Sequence, residues 1–268
     1  MRVLVISCFF IICSVTARAQ DLYYVTVIRG TIKKEDRSAV KVGDKLPEKA
    51  KLLFANKDCR LVLLHPRKGR FVLEADQKKE APASEFALFL KNNLHLQSET
   101  LKLSSRGEVG VDEFFSGRKS DSTRLLFIGD TKFDLHHSGY LQDDLTNNFF
   151  FLQYVAVDGQ ALNNKLNIVD DSLVINENSF LGGENQSLEN KSVTLAYMKH
   201  YKSNREIRQI NTFKPVFLSE RDCKKLLQTI KQTIGGTKEK IIEEAYTQLM
   251  YAYGKPYIET LSSLFEQL

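Results

Sequence analysis

The sequence predicts a mainly β, α+β protein. A small N-terminal β-barrel or sandwich comes first, then a second β-sandwich-like region, then a C-terminal segment of three helices. Three observations carry this. Short β-branched and aromatic runs recur through residues 22–75 at roughly ten-residue spacing, divided by Gly, Asp and Asn turns. A second set of apolar runs, the longest from Phe149 to Val157, occupies residues 111–218. From Ser219 onward the apolar residues recur with the period of amphipathic helices.

The chain starts with what reads as a secretory signal peptide over residues 1–19. Arg2 gives a positive start, Val3 to Val15 is uncharged and apolar, and Ala17-Arg18-Ala19 is a small-x-small site, so cleavage is expected between Ala19 and Gln20. The apolar run is shorter than the about 20 residues of a membrane span. No later run approaches that length, so no membrane insertion is expected after cleavage and the location is secreted or periplasmic.

In residues 20–80, Tyr23 to Ile28 is the first strand and ends at Gly30. Val40 and Val42 lead into the turn Gly43-Asp44. Lys51 to Phe54, Arg60 to His65 and Arg70 to Leu73 follow, separated by Asn56-Lys57-Asp58 and Pro66-Arg67-Lys68-Gly69. The order Val27-x-x-Gly30, Lys41-Val42-Gly43-Asp44-Lys45-Leu46, Lys51-Leu52-Leu53-Phe54, Arg60-Leu61-Val62-Leu63 and Gly69-Arg70-Phe71-Val72-Leu73 resembles FecR-like and bacterial SH3-like β-domains. Such domains carry a Gly-Asp-x-Leu turn before two hydrophobic strands. The resemblance covers about a fifth of the chain and implies a β-scaffold for protein contact or ligand sensing in a bacterial envelope. It transfers no catalytic residue. Sensors of that kind usually carry a transmembrane helix ahead of the domain, whereas this chain has a cleavable signal.

Residues 76–85 read as a polar linker, and Ser84 as the cap of a short helix bearing Phe86, Leu88, Phe89 and Leu90. That helix opens the second region, residues 81–218. Its strands are Leu125 to Ile128, Phe149 to Val157, Leu166 to Val169, Ser172 to Ile175, Ser192 to Met198 and Pro215 to Leu218. Residues 219–268 are the helical segment. Ser219 with Asp222 is a capping-box-like start, and Cys223, Leu226, Leu227, Ile230 and Ile234 share one face. Gly235-Gly236 stops this helix. The second carries Ile241, Ala245, Leu249 and Ala252, and the third opens near Pro256.

The formal charge is +5, falling to +3 without Arg2 and Arg18, which argues against nucleic acid as a partner. Charge is unevenly placed. Residues 21–80 carry fifteen Lys/Arg against nine Asp/Glu, and residues 107–195 carry six against fourteen. Such alternation marks more than one structural unit. The two units could dock on each other, or the acidic middle could face a cationic partner. After cleavage two cysteines remain, Cys59 and Cys223. They could form a disulfide in an oxidising compartment or stay as two buried thiols.

No G-x-S-x-G turn, H-E-x-x-H pair, P-loop or Gly-rich dinucleotide turn is present. Asp134, His136 and His137 are the metal-ligand or hydrolytic candidates, since neutral imidazole and carboxylate suit a divalent ion. A solvated polar loop is the plainer reading, because adjacent strand residues point to opposite faces. Pairing a histidine with Cys223 for protease chemistry requires an accessible thiol of low pKa. Asp143-Asp144 and Asp170-Asp171 fit carboxylate or calcium chemistry less well than ordinary turns. Tyr246, Tyr251, Tyr253 and Tyr257 crowd the helices, either as a binding surface or as packing. Asn185 and Asn190 fit the glycosylation pattern, which bears only on a eukaryotic secretory route.

The expected function is non-enzymatic: an exported protein-binding or scaffold protein of the bacterial envelope, with another envelope or secreted protein as partner and no cofactor. One alternative is a hydrolase or metal-binding protein with its site in the acidic middle. A second is a regulator or chaperone of a co-secreted enzyme acting through the helices. The oligomeric state is left open.

Overall fold

One bulge in the first strand directs neighbouring side chains into two different cores. In β1 (Leu22–Arg29), Tyr23 and Val25 enter one apolar cluster and Val27 enters another. Strict alternation would put all three on the same face. The register against β5 (Arg60–His65) shifts between Val25 and Val27, and this turns Val27 to the opposite side. Thr26, at the bulge, is buried, and its hydroxyl donates to the Val62 carbonyl at 3.1 Å. β5 is apolar on both faces. Leu61 and Leu63 join the cluster of Val25, while Val62 and Leu64 join that of Val27. Such a strand requires cover on both sides.

This computed structural model describes residues 21–74, 86–89, 95–97, 110–115, 123–136, 138–140, 147–155, 159–180, 191–201 and 204–268. The expected signal peptide at 1–19, the expected linker at 76–85, His137, Asp143, Asp144, Asn185 and Asn190 lie outside the described residues.

The N-terminal region holds two antiparallel sheets. One runs β3 (Lys45–Pro47), β1, β5, β6 (Gly69–Glu74), β8 (His95–Gln97). The other runs β2 (Ile32–Lys34), β4 (Lys51–Phe54), β7 (Phe86–Phe89). They enclose Tyr23, Val25, Ile32, Leu52, Phe54 and Leu61. Residues 86–89 were expected in a helix and instead form β7. A short apolar run fits either period, and the edge of β4 offers it a ladder. The N-terminal sheets therefore extend to Gln97, past the expected boundary at 80.

The second region is also two-layered. Its larger sheet runs β12 (Ala161–Lys165), β11 (Phe149–Val155), β15 (Val193–Tyr201), β16 (Asn204–Leu218), β9 (Arg124–Ile128), β17 (Lys255–Pro256). β16, β9 and β17 are parallel and the remaining pairs are antiparallel. The smaller sheet runs β10 (Thr131–Asp134), β14 (Ser172–Ile175), β13 (Asn167–Val169). Phe127, Phe150, Leu152 and Phe213 from the first meet Phe133 and Leu173 from the second. The short helix α1 (Val111–Phe115) inserts Phe114 and Phe115 between them. The contact between Phe114 and Phe115 is edge-on, with ring centroids 5.0 Å apart.

The three C-terminal helices are α2 (Glu220–Ile234), α3 (Lys238–Ala252) and α4 (Ile258–Glu266). Ser219 caps α2 by accepting from the Asp222 amide at 3.1 Å. Pro256 lies in β17, so the third helix starts after it rather than around it. The helices form a layer between the two β-regions. Their Cys223, Leu226, Ile230, Ile241, Leu249 and Leu261 meet Val27, Val62 and Leu64 on one side and Leu126 and Ile128 of β9 on the other. The order of layers is thus sheet, sheet, helices, sheet, sheet.

Candidate functional site

The histidine candidate sits at the end of β10. Asp134 Oδ1 accepts from the His136 amide and contacts His136 Nδ1, both at 2.7 Å. On the other side of the ring, Nε2 lies 3.5 Å from Asp171 Oδ2. The imidazole therefore stands between two carboxylates, each on a different nitrogen. Two ligands on opposite sides of a ring do not converge on a common ion. Among the described residues, no group of three or more His, Cys, Asp or Glu side chains is arranged to hold a metal. Asp170 and Asp171 form a turn with positive φ of 48° and 55°, a conformation that Asp tolerates better than most residues.

The cysteines lie apart. Cys59 is in the N-terminal core and Cys223 in the helical layer, both buried free thiols, so the structure does not join them in a disulfide. Burial, reinforced by the nearby charge of Glu220, pushes the Cys223 thiol up to about 12. A nucleophilic cysteine needs the opposite shift and access to solvent, so Cys223 is unsuited to protease chemistry.

The four tyrosines form no common exposed face. Tyr257 is buried in the second region's core, its ring tilted against Phe133 with centroids 4.6 Å apart, and Tyr246 packs on the helical cluster. Tyr251 and Tyr253 lie where the end of α3 meets the N-terminal sheet. The Tyr251 hydroxyl donates to Glu74, and that of Tyr253 to the Ile28 carbonyl. Arg29 and Arg60 complete this joint by donating to the Ala252 and Tyr251 carbonyls at 3.2 and 3.3 Å. Both guanidinium groups thus answer the negative end of the α3 dipole. Nearby, buried Arg70 pairs with half-buried Glu244 at 3.2 Å. These residues align the N-terminal sheet on α3, so the tyrosines read as candidate binding residues have intramolecular partners.

Two features are open to solvent. The first is the ribbon of β15 and β16. Residues Asn204–Gln209 of β16 are exposed, and no strand among the described residues pairs with their outer edge. Across the outer face, Ile207 is in register with Met198 of β15, and Met198 with Phe149 of β11. Ile207 is 60% exposed, and Val155 at the far end of β11 is 58% exposed. On the inner side Arg208 reaches Asp112 at 3.3 Å and covers the Tyr140 ring, whose hydroxyl donates to Asp112 at 2.6 Å. A bulge between Leu195 and Ala196 separates this arm from the part of β16 that enters the core.

The second feature is a cavity of about 510 Å³ where the N-terminal ends of β9 and β17 meet the end of α3. Sequence reasoning missed both features. The cavity's residues come from four separate segments, and the exposed arm reads in sequence like any other strand.

No protein-family model, curated protein or solved structure matches this chain.

Proposed function

We propose that this is an exported, non-enzymatic protein-binding protein of the bacterial envelope, which contacts its partner through the β15–β16 arm. The observation that carries this reading is the exposure of Asn204–Gln209 together with the apolar row Ile207, Met198 and Phe149. A ribbon that extends past its core gains little from burial and still loses chain entropy. A partner strand or surface would supply the missing burial, and the free edge suits strand addition. The charged residues Arg205, Glu206 and Arg208 on the arm oppose indiscriminate pairing between copies. The FecR-like resemblance of the N-terminal region supports a scaffold role in the same compartment. The apolar faces of the helices are committed to the two sheets, so the arm, rather than the helical segment, is the contact surface.

The reading is tested by placing a photo-crosslinking residue at Ile207, at Val155 and, as an exposed control, at Lys57. In an envelope fraction, one discrete adduct is expected from Ile207 and Val155, competed away by unlabelled protein, and none from Lys57. Ile207→Asp should weaken that association at least tenfold. Identical adduct patterns from all three positions would refute the assignment.

A further inference from the structure

We propose that the cavity beside the end of α3 binds a small organic anion, holding its carboxylate or phosphate between Arg124 and Lys214 and its apolar body against Met250. This is independent of the partner surface on the β15–β16 arm.

Charge balance supports the assignment. Arg124, Lys214 and Lys255 line the cavity, and no carboxylate lines it. Arg124 and Lys214 have no ion-pair partner among the described residues. They are also register neighbours on the parallel strands β9 and β16, so the two side chains leave the same face of the sheet side by side. Like charges placed that way repel, and a sheet gains nothing from them unless an anion lies between.

The end of α3 does not supply that anion. Its carbonyls of Tyr251 and Ala252 already accept from Arg60 and Arg29, and the Tyr253 amide closes on Leu249. The helix dipole amounts to about half a charge, and two arginines already answer it. Lys255 is held elsewhere, donating to the Phe114 carbonyl at 2.7 Å and that of Glu113 at 3.3 Å. It adds positive potential to the cavity without closing it.

The shape is also fixed. Gly254 has φ of +120°, and a Cβ there would lie 2.5 Å from the Arg124 carbonyl oxygen. Only glycine lets the chain turn from α3 into β17 this close to Arg124. Met250 supplies the apolar wall, whereas Leu125 turns its side chain to the opposite face of β9 from Arg124, into the second region's core.

Calorimetric titration of the full chain with phenyl phosphate, 3-phenylpropionate, inorganic phosphate and neutral benzyl alcohol tests this. Saturable binding of an aromatic anion is expected, weakened at least tenfold by Arg124→Gln with Lys214→Gln and by added salt, with none for benzyl alcohol. Without ligand, the double variant should melt no lower than the parent, because a repulsion has been removed. Lys214→Gln alone serves if the double variant does not fold. Inorganic phosphate binding as tightly as phenyl phosphate would overturn the apolar half of the site. No saturable binding of either aromatic anion, or binding unchanged in the variants, would overturn the proposal.

Discussion

The helical layer has two faces, and they are held differently. Toward the second β-region the contact is apolar, with Leu126 and Ile128 of β9 packed on the helices. The chain also returns there as β17 to pair with β9. Toward the N-terminal sheet, Val27, Val62 and Leu64 give apolar contact, but a ring of directional bonds surrounds them: Arg29 and Arg60 on the α3 carbonyls, Tyr251 on Glu74, Tyr253 on Ile28, and Arg70 on Glu244. Apolar contact sets how strongly two surfaces adhere, whereas hydrogen bonds of fixed geometry set their orientation. The difference teaches that the helices are joined to the second region by apolar contact and chain continuity, and oriented on the first by directional bonds as well.

The most severe test of this comparison is removal of the helices. Truncation after Leu218 strips the partners of Val27, Val62 and Leu64 and of Leu126 and Ile128 at once. The expected outcome is loss of a cooperative thermal transition, followed by circular dichroism. A truncated chain that melts cooperatively with unchanged β-signal would mean that the sheets do not depend on the layer.

Arg70→Met tests the N-terminal face alone. It leaves the half-buried Glu244 without its cation beside Gln248, whose amide donates to it at 2.8 Å, and should cost about 1–3 kcal/mol in denaturant unfolding. Arg70→Met with Glu244→Gln should recover most of that loss, since removing both charges leaves none unpaired. Equal losses in the single and double variants would show that packing, not the ion pair, is what matters at this point.

The smallest effect concerns alkaline pH. The Cys223 thiol is raised from 9.0 to about 12 by burial, and the Tyr253 hydroxyl from 10.0 to about 12, by burial first and by the charge of Asp222 second. Each group therefore keeps its proton in the folded state over a range where the unfolded chain has lost it. The unfolded state binds fewer protons, so stability falls as pH rises from 9 toward 12. For Cys223 the loss is about 1 kcal/mol by pH 10. Melting followed at pH 8 and pH 10 should show the fall, and Cys223→Ala should reduce it. A slope unchanged by the substitution would assign it to the tyrosines of the N-terminal face.

Local features were legible in the sequence. The Ser219 cap and the face of Cys223, Leu226, Leu227 and Ile230 follow from residues within four positions of one another, and the structure has both. Most strands of residues 22–74 were marked by their own turns, although β3 was not. What escaped was pairing at a distance. Residues 86–89 became a strand because β4 had an edge to offer, and Lys255-Pro256 because β9 did. The histidine cluster looked chemical in one dimension, but its carboxylates approach from opposite sides of the ring. The tyrosines looked like a surface because their partners, Glu74 and Ile28, are more than 170 positions away. The cavity was invisible for the same reason: Arg124, Lys214 and Lys255 become neighbours only when three parallel strands align.

The central position of the helices also has a consequence in time. A ribosome delivers the chain from its N-terminus, so both β-regions emerge before the layer that fills the gap between them. Until the last fifty residues are made, Val27, Val62 and Leu64 on one side and Leu126 and Ile128 on the other have nothing to pack against. Each β-region encloses a core of its own, so the interface between them, rather than either pair of sheets, is what waits for the helices.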